Sequence, residues 1–110
     1  MNRSKAKGTS WEFSIVRYLA DFWPHVERRA QEGSKDRGDI AGIPGVVIEA
    51  KNCQALDLSG WLKEAHKERD NAGVDVGVVW AHRKGKSAAA DGYVIMDGRT
   101  FAHLLQEAGW

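Results

Sequence analysis

The sequence predicts an α/β fold, a central mixed sheet flanked by helices, and three observations carry that expectation. Residues 9–23 repeat apolar side chains at helical spacing. Residues 38–51 hold two apolar runs split by a turn rich in glycine and proline. A second helical stripe then leads into a valine-rich run at 74–82, and strand–helix–strand order suits neighbouring strands joined by a crossover. With 110 residues the chain is expected to form one domain, residues 1–110, with residues 1–8 as a flexible basic N-terminus.

The first helix is expected from Thr9 to about Trp23. Trp11, Ile15, Val16, Leu19, Phe22 and Trp23 give it a broad apolar face. "TSWE" fits a capping box, with Thr9 as N-cap and Glu12 at the third helical position. Pro24 ends the helix, since the residue before a proline disfavours helical angles. Residues 26–30 read as a short strand and residues 31–37, polar with a glycine, as a mobile loop. Residues 38–41 and 46–51 read as strands joined by residues 42–45. Leu58, Trp61, Leu62 and Ala65 mark a second helix from about Asp57 to Ala72, stopped by Gly73. Residues 74–82 read as a buried strand, 83–91 as a basic loop, 93–96 as a last strand and 99–108 as a closing helix. The order is αβββαββα, or the same without the first strand.

Composition sets limits on function. No apolar run nears the roughly 20 residues needed to cross a membrane, and no apolar stretch follows the basic N-terminus, so neither a membrane partner nor a secretory signal is expected. Cys53 is the single cysteine, which leaves no internal disulfide and fits a cytoplasmic location. The formal net charge of +1 is not that of a strongly basic nucleic-acid binder, so basic residues matter only as local patches. Lys5 and Lys7, Arg37, and the cluster Arg83, Lys84 and Lys86 are the candidate DNA contacts, although a solvated surface accounts for such patches equally well.

The charges inside the most strand-like stretch, "GDIAGIPGVVIEAKN", carry the chemistry. Along residues 46–51, Val46, Ile48 and Ala50 share one face, and Val47, Glu49 and Lys51 share the other. If the hairpin is symmetric about Pro44, Asp39 lies opposite Glu49. Facing carboxylates repel one another unless a cation joins them, and hard carboxylate oxygens suit Mg²⁺. Lys51 beside them would polarise a water or steady a phosphate as negative charge builds. Two carboxylates and a lysine on one sheet edge therefore suit metal-assisted phosphodiester hydrolysis. A plain surface ion pair is the alternative, since Glu-x-Lys alone is common.

An Asp, then Glu-Ala-Lys at the end of an apolar strand, following a helix with an internal Glu, resembles the PD-(D/E)XK nuclease superfamily. The opening "KGTSWEFSIVRYL" is most similar to the Holliday junction resolvases of archaea and their phage-encoded relatives. The resemblance runs from Lys7 to about Ala81, and it lacks the motif's proline, since Gly38 precedes Asp39. It implies a restriction-endonuclease-like core, a Mg²⁺ or Mn²⁺ cofactor, branched DNA as substrate and a homodimer. It implies Asp39, Glu49, the Ala50 carbonyl and Glu12 as metal ligands and Lys51 as the catalytic lysine.

The histidines lack ligand spacing, Cys53 reads as a small packing residue, and Trp61 and Trp80 read as core or interface positions. On the second helix, Lys63, Lys67 and Arg69 alternate with Glu64, Glu68 and Asp70, which reads as a salt-bridged surface. The expectation is a Mg²⁺-dependent, structure-selective endonuclease, most closely a junction resolvase. The rival readings are a nicking, flap or restriction-like enzyme on the same core, a nucleic-acid-binding module that does not cut, and an α/β interaction domain.

Overall fold

The structure, a computed structural model, describes residues 3–29 and 36–110. Its elements are α1 (Arg3–Leu19), β1 (Glu27–Arg28), β2 (Ile40–Ile43), β3 (Val46–Lys51), α2 (Leu58–Ala72), β4 (Val76–Ala81), a short 3₁₀ turn (Ala89–Asp91), β5 (Tyr93–Ile95) and α3 (Gly98–Glu107). The five strands form one open sheet in the order β1-β2-β3-β4-β5. All neighbours are antiparallel except β3 and β4, which run parallel and are joined through α2. The expected order of elements and the mixed sheet are therefore both present.

Pleating divides the core in two. On one face Ile48 of β3 and Val76 and Val78 of β4 pack with Trp11, Ile15 and Leu19 of α1. On the other face Val79 and Ala81 of β4 pack with Trp61 and Ala65 of α2. Gly77 allows that second contact, because a Cβ there would run into the Ala65 carbonyl of α2. Tryptophan donors knit the first face: Trp11 Nε1 donates to the Trp80 carbonyl at 3.1 Å, and Trp80 Nε1 to that of Ala89 at 3.0 Å.

The ends of α2 follow local rules. Asp57 caps the start, its carboxylate accepting from the Gly60 amide at 3.1 Å. Gly73 closes the end in the left-handed conformation.

The expected capping box does not form. Helix α1 begins at Arg3 and takes in residues 3–8, so Thr9 and Glu12 lie in its interior. The pattern Thr-x-x-Glu is satisfied by an interior turn as easily as by a helix start, and polar residues 3–8 carry no apolar period to reveal the extension. The helix also stops before Pro24: the Phe22 and Trp23 amides both turn back to the Leu19 carbonyl, at 2.9 and 2.8 Å. The expected first strand shrinks to Glu27–Arg28. Of the loop expected at 31–37, residues 31–35 lie outside the described residues, as does Ala30.

Candidate active site

The hairpin brings Asp39 close to Glu49. Ile40 pairs with Ile48, which is the register symmetric about Pro44, and an irregularity near the turn shifts Ile43 to Val46. Asp39 sits one residue before β2. Its amide donates to the Ile48 carbonyl at 3.0 Å, and its carbonyl accepts from Arg29 at 2.7 Å. Its side chain reaches across the strand, where Oδ2 accepts from the Ala50 amide at 3.0 Å. On β3 the Lys51 carbonyl accepts from His82 on the β4 side. Backbone groups alternate along a strand, so Ala50 turns its N–H and C=O towards Asp39.

Glu49 is 5% exposed although it is ionisable, and its Oε2 has no hydrogen-bond partner. Its face of β3 lies under α2. Lys51, on the same face, places Nζ 2.9 Å from Glu64 Oε1 and 3.5 Å from Glu49 Oε1. Burial alone would lower the Lys51 pKa, but the carboxylates of Glu64 and Glu49 outweigh it, raise the pKa and keep the ammonium charged.

The carboxyls form a crowded group. Burial pushes Glu49 up to about 12, and neighbouring Glu68, Asp39 and Glu64 push in the same direction. Burial also raises Asp39, against the opposing pull of the Ala50 amide. Burial pushes Glu68 up to about 7, with Glu49 pulling it down and Asp36, Asp39 and Glu64 pushing it up. A carboxyl in this setting either keeps its proton or meets a cation.

Glu12 projects from α1 towards the same end of the hairpin. Burial raises its pKa first and the charge of Asp39 second. Arg28 holds it from β1, with Nε 3.3 Å from Glu12 Oε1. Glu12, Asp39, Glu49 and Lys51 thus form a chain of electrostatic neighbours, and the Ala50 backbone joins it through Asp39.

Sequence reasoning missed the contribution of α2. Glu64 and Glu68 were read as part of a salt-bridged surface, yet Glu68 is 1% exposed and Glu64 grips Lys51. The signal was present: Glu68 lies three residues beyond Ala65 and seven beyond Trp61, on the helical stripe that buries both. Asp36 was also missed; its Oδ1 accepts from the Gly38 amide at 3.0 Å.

The basic candidates spread around this centre. Lys7 and Lys84 line a groove of about 870 Å³ with Asn52, His82 and Tyr93. Asn52 follows β3 and His82 follows β4, so the groove opens just beyond Lys51, at the carboxyl ends of the parallel strands. Arg83 lies over the Tyr93 ring, 5.5 Å from its centroid, and forms an isolated bridge with Lys86. Arg37 is exposed next to Gly38 and its carbonyl accepts from Arg29. The Lys5 side chain lies outside the described residues. Cys53 is exposed and lines the groove, so the packing role expected for it does not hold. Trp61 is buried and Trp80 partly buried against the core, as expected.

Comparison with protein-family models, with curated proteins and with solved structures found no match. The functional reading therefore rests on the chain's own residues. Among the described residues no helix is long and apolar enough to cross a membrane.

Proposed function

We propose that this chain is a Mg²⁺-dependent endonuclease that hydrolyses DNA phosphodiesters on a restriction-endonuclease-like core, with branched DNA, above all four-way junctions, as its substrate. One observation carries the proposal: Lys51 is held charged against Glu49, a buried carboxylate that still has an unpartnered oxygen and stands beside Asp39. A purely structural ion pair would satisfy both Glu49 oxygens and would not bring further carboxyls to it.

Asp39, Glu49, the Ala50 carbonyl and Glu12 would hold the cation, and Mn²⁺ would serve in place of Mg²⁺. When bound, it supplies Lewis-acid stabilisation of the charge that builds on the phosphate. The chain's own contribution is positional. Glu64 fixes the Lys51 ammonium by its 2.9 Å contact, so Lys51 needs little reorganisation to polarise a water or face a phosphoryl oxygen. Glu49 and Asp39 are too crowded to stay ionised together cheaply, which favours cation capture. Lys7 and Lys84 would track the sugar-phosphate backbone along the groove beyond Lys51. The chain would act in the cytoplasm, the host's if it is phage-encoded, and as a homodimer it would offer two equivalent sites to a junction.

The test is incubation with end-labelled four-way junction, flap and linear duplex, with and without Mg²⁺ or Mn²⁺. The proposal expects metal-dependent cutting of the junction in pairs on opposing strands. Equal cutting of duplex and junction would replace it with a nicking or restriction-like nuclease. DNA binding without cutting would leave a non-catalytic module.

A further inference from the structure

Among the described residues, four carboxylates converge in a set that differs from the one the sequence singles out. Asp36, Glu49, Glu64 and Glu68 each bring one oxygen within 4.8 Å of all the others. Four points spaced so fit inside a sphere of radius about 2.9 Å, and hard divalent cations hold their oxygens at about 2.0–2.6 Å. A contraction of less than about 1 Å per ligand would close the set on an ion.

An acidic cluster alone would mean little, and Glu68 supplies the second observation. It is 1% exposed, and neither of its oxygens has a hydrogen-bond partner. Glu49 Oε2, also buried, lacks one too. Buried polar atoms left in this state are rare in native proteins, and each calls for a partner. Glu68 is directed here by its place on α2: it shares the buried stripe of Trp61 and Ala65, and its Oε2 bounds the space beside Gly38. Lys51 reaches Glu64 and Glu49 but leaves both Glu68 oxygens unmatched. A monovalent ammonium offsets only one of these four carboxylates, whereas a divalent ion beside it would offset two more.

We propose that Asp36, Glu49, Glu64 and Glu68 form a divalent-cation site of their own, where α2 meets β3 and the segment before β2. Glu49 is shared with the Asp39 side. The ion ties α2 to the sheet and orients Glu64, which in turn positions Lys51. This site does not depend on the nuclease reading, since a chain that cuts nothing can still hold the ion.

Mn²⁺ titration of the full chain tests it, with bound ions counted by calorimetry and by electron paramagnetic resonance. Wild type should bind an ion that Glu68→Gln loses or holds about tenfold more weakly, or worse. Asp39→Asn should keep that ion. Glu64→Gln, whose side chain is partly exposed, should weaken the same ion and covers the case in which Glu68→Gln fails to fold. Far-ultraviolet circular dichroism of each variant in chelator reports folding. If Glu68→Gln and Glu64→Gln both fold and bind Mn²⁺ with wild-type number and affinity, or if wild type binds none at millimolar Mn²⁺, the site does not exist and the carboxyls share protons instead. Loss of junction cutting with this ion retained would count against the nuclease reading alone.

Discussion

Replacing Glu68 by glutamine should remove a specific part of the pH dependence of stability. Burial raises the Glu68 carboxyl from 4.5 to about 7. An acid raised in the fold keeps its proton in the native state after the unfolded chain has released it. Its contribution is complete below pH 4.5, falls as pH rises, and is lost by about pH 7. At about 1.4 kcal/mol per unit, the loss is on the order of 3 kcal/mol. Glutamine has nearly the same shape and does not titrate. The stability difference, mutant minus wild type, should therefore grow by about 3 kcal/mol between pH 4.5 and about pH 8 in chelator. Taking the difference cancels the slope of Glu12, which titrates in both proteins, while Asp39, a neighbour of Glu68, is relieved when that charge goes. Removing the Glu68 charge also relieves Glu49, so the true gain should be no smaller. Urea denaturation across this range measures it. Parallel stability curves for the two proteins would refute the placement of Glu68 among buried, mutually repelling carboxyls.

Three other outcomes follow from the same geometry. Glu12→Gln should slow cleavage while changing stability by less than about 1 kcal/mol, because its pair with Arg28 lies near the surface; unchanged cleavage would remove Glu12 from the site. Gly42→Ala should destabilise the fold by about 2 kcal/mol or more, since Gly42 has φ +96° and a Cβ would overlap the His25 carbonyl; thermal melts would show it, and an unshifted melt would argue against this packing of β2. Lys84→Ala should weaken DNA binding in a sequence-independent way and reduce the salt slope by about 1; an unchanged slope would take the groove out of the DNA path.

Much of this arrangement was legible in the sequence, for reasons that are local. Alternation along residues 46–51 separated Val46, Ile48 and Ala50 from Glu49 and Lys51, and the two core clusters keep that division. The turn at Pro44 and Gly45 fixed the Ile40–Ile48 register, which brings Asp39 to Ala50 and Glu49. Asp57 and Gly73 marked the ends of α2 because caps depend on the nearest few residues. What stayed hidden depends on the third dimension. Alternating charge on α2 looked like a solvated surface, and only the packing of Trp61 and Ala65 on β4 turns Glu68 inward. The same packing brings Glu64 to Lys51, a contact between residues far apart in kind of element though close in sequence. Cys53 looked like packing because small apolar residues often are, yet the chain leaves the sheet at Lys51 and exposes it.

The measurement that bears most directly on the central claim compares wild type with Lys51→Met on a labelled four-way junction, with binding and single-turnover cutting measured on the same samples. Methionine keeps much of the stem and removes the ammonium that Glu49 and Glu64 hold in place. An interaction made mainly in the transition state predicts junction affinity close to wild type and cutting slower by about 10²–10³-fold in Mg²⁺. Cutting by Lys51→Met at the wild-type rate would contradict the claim, and so would a wild-type protein that binds the junction in Mg²⁺ and leaves every strand intact.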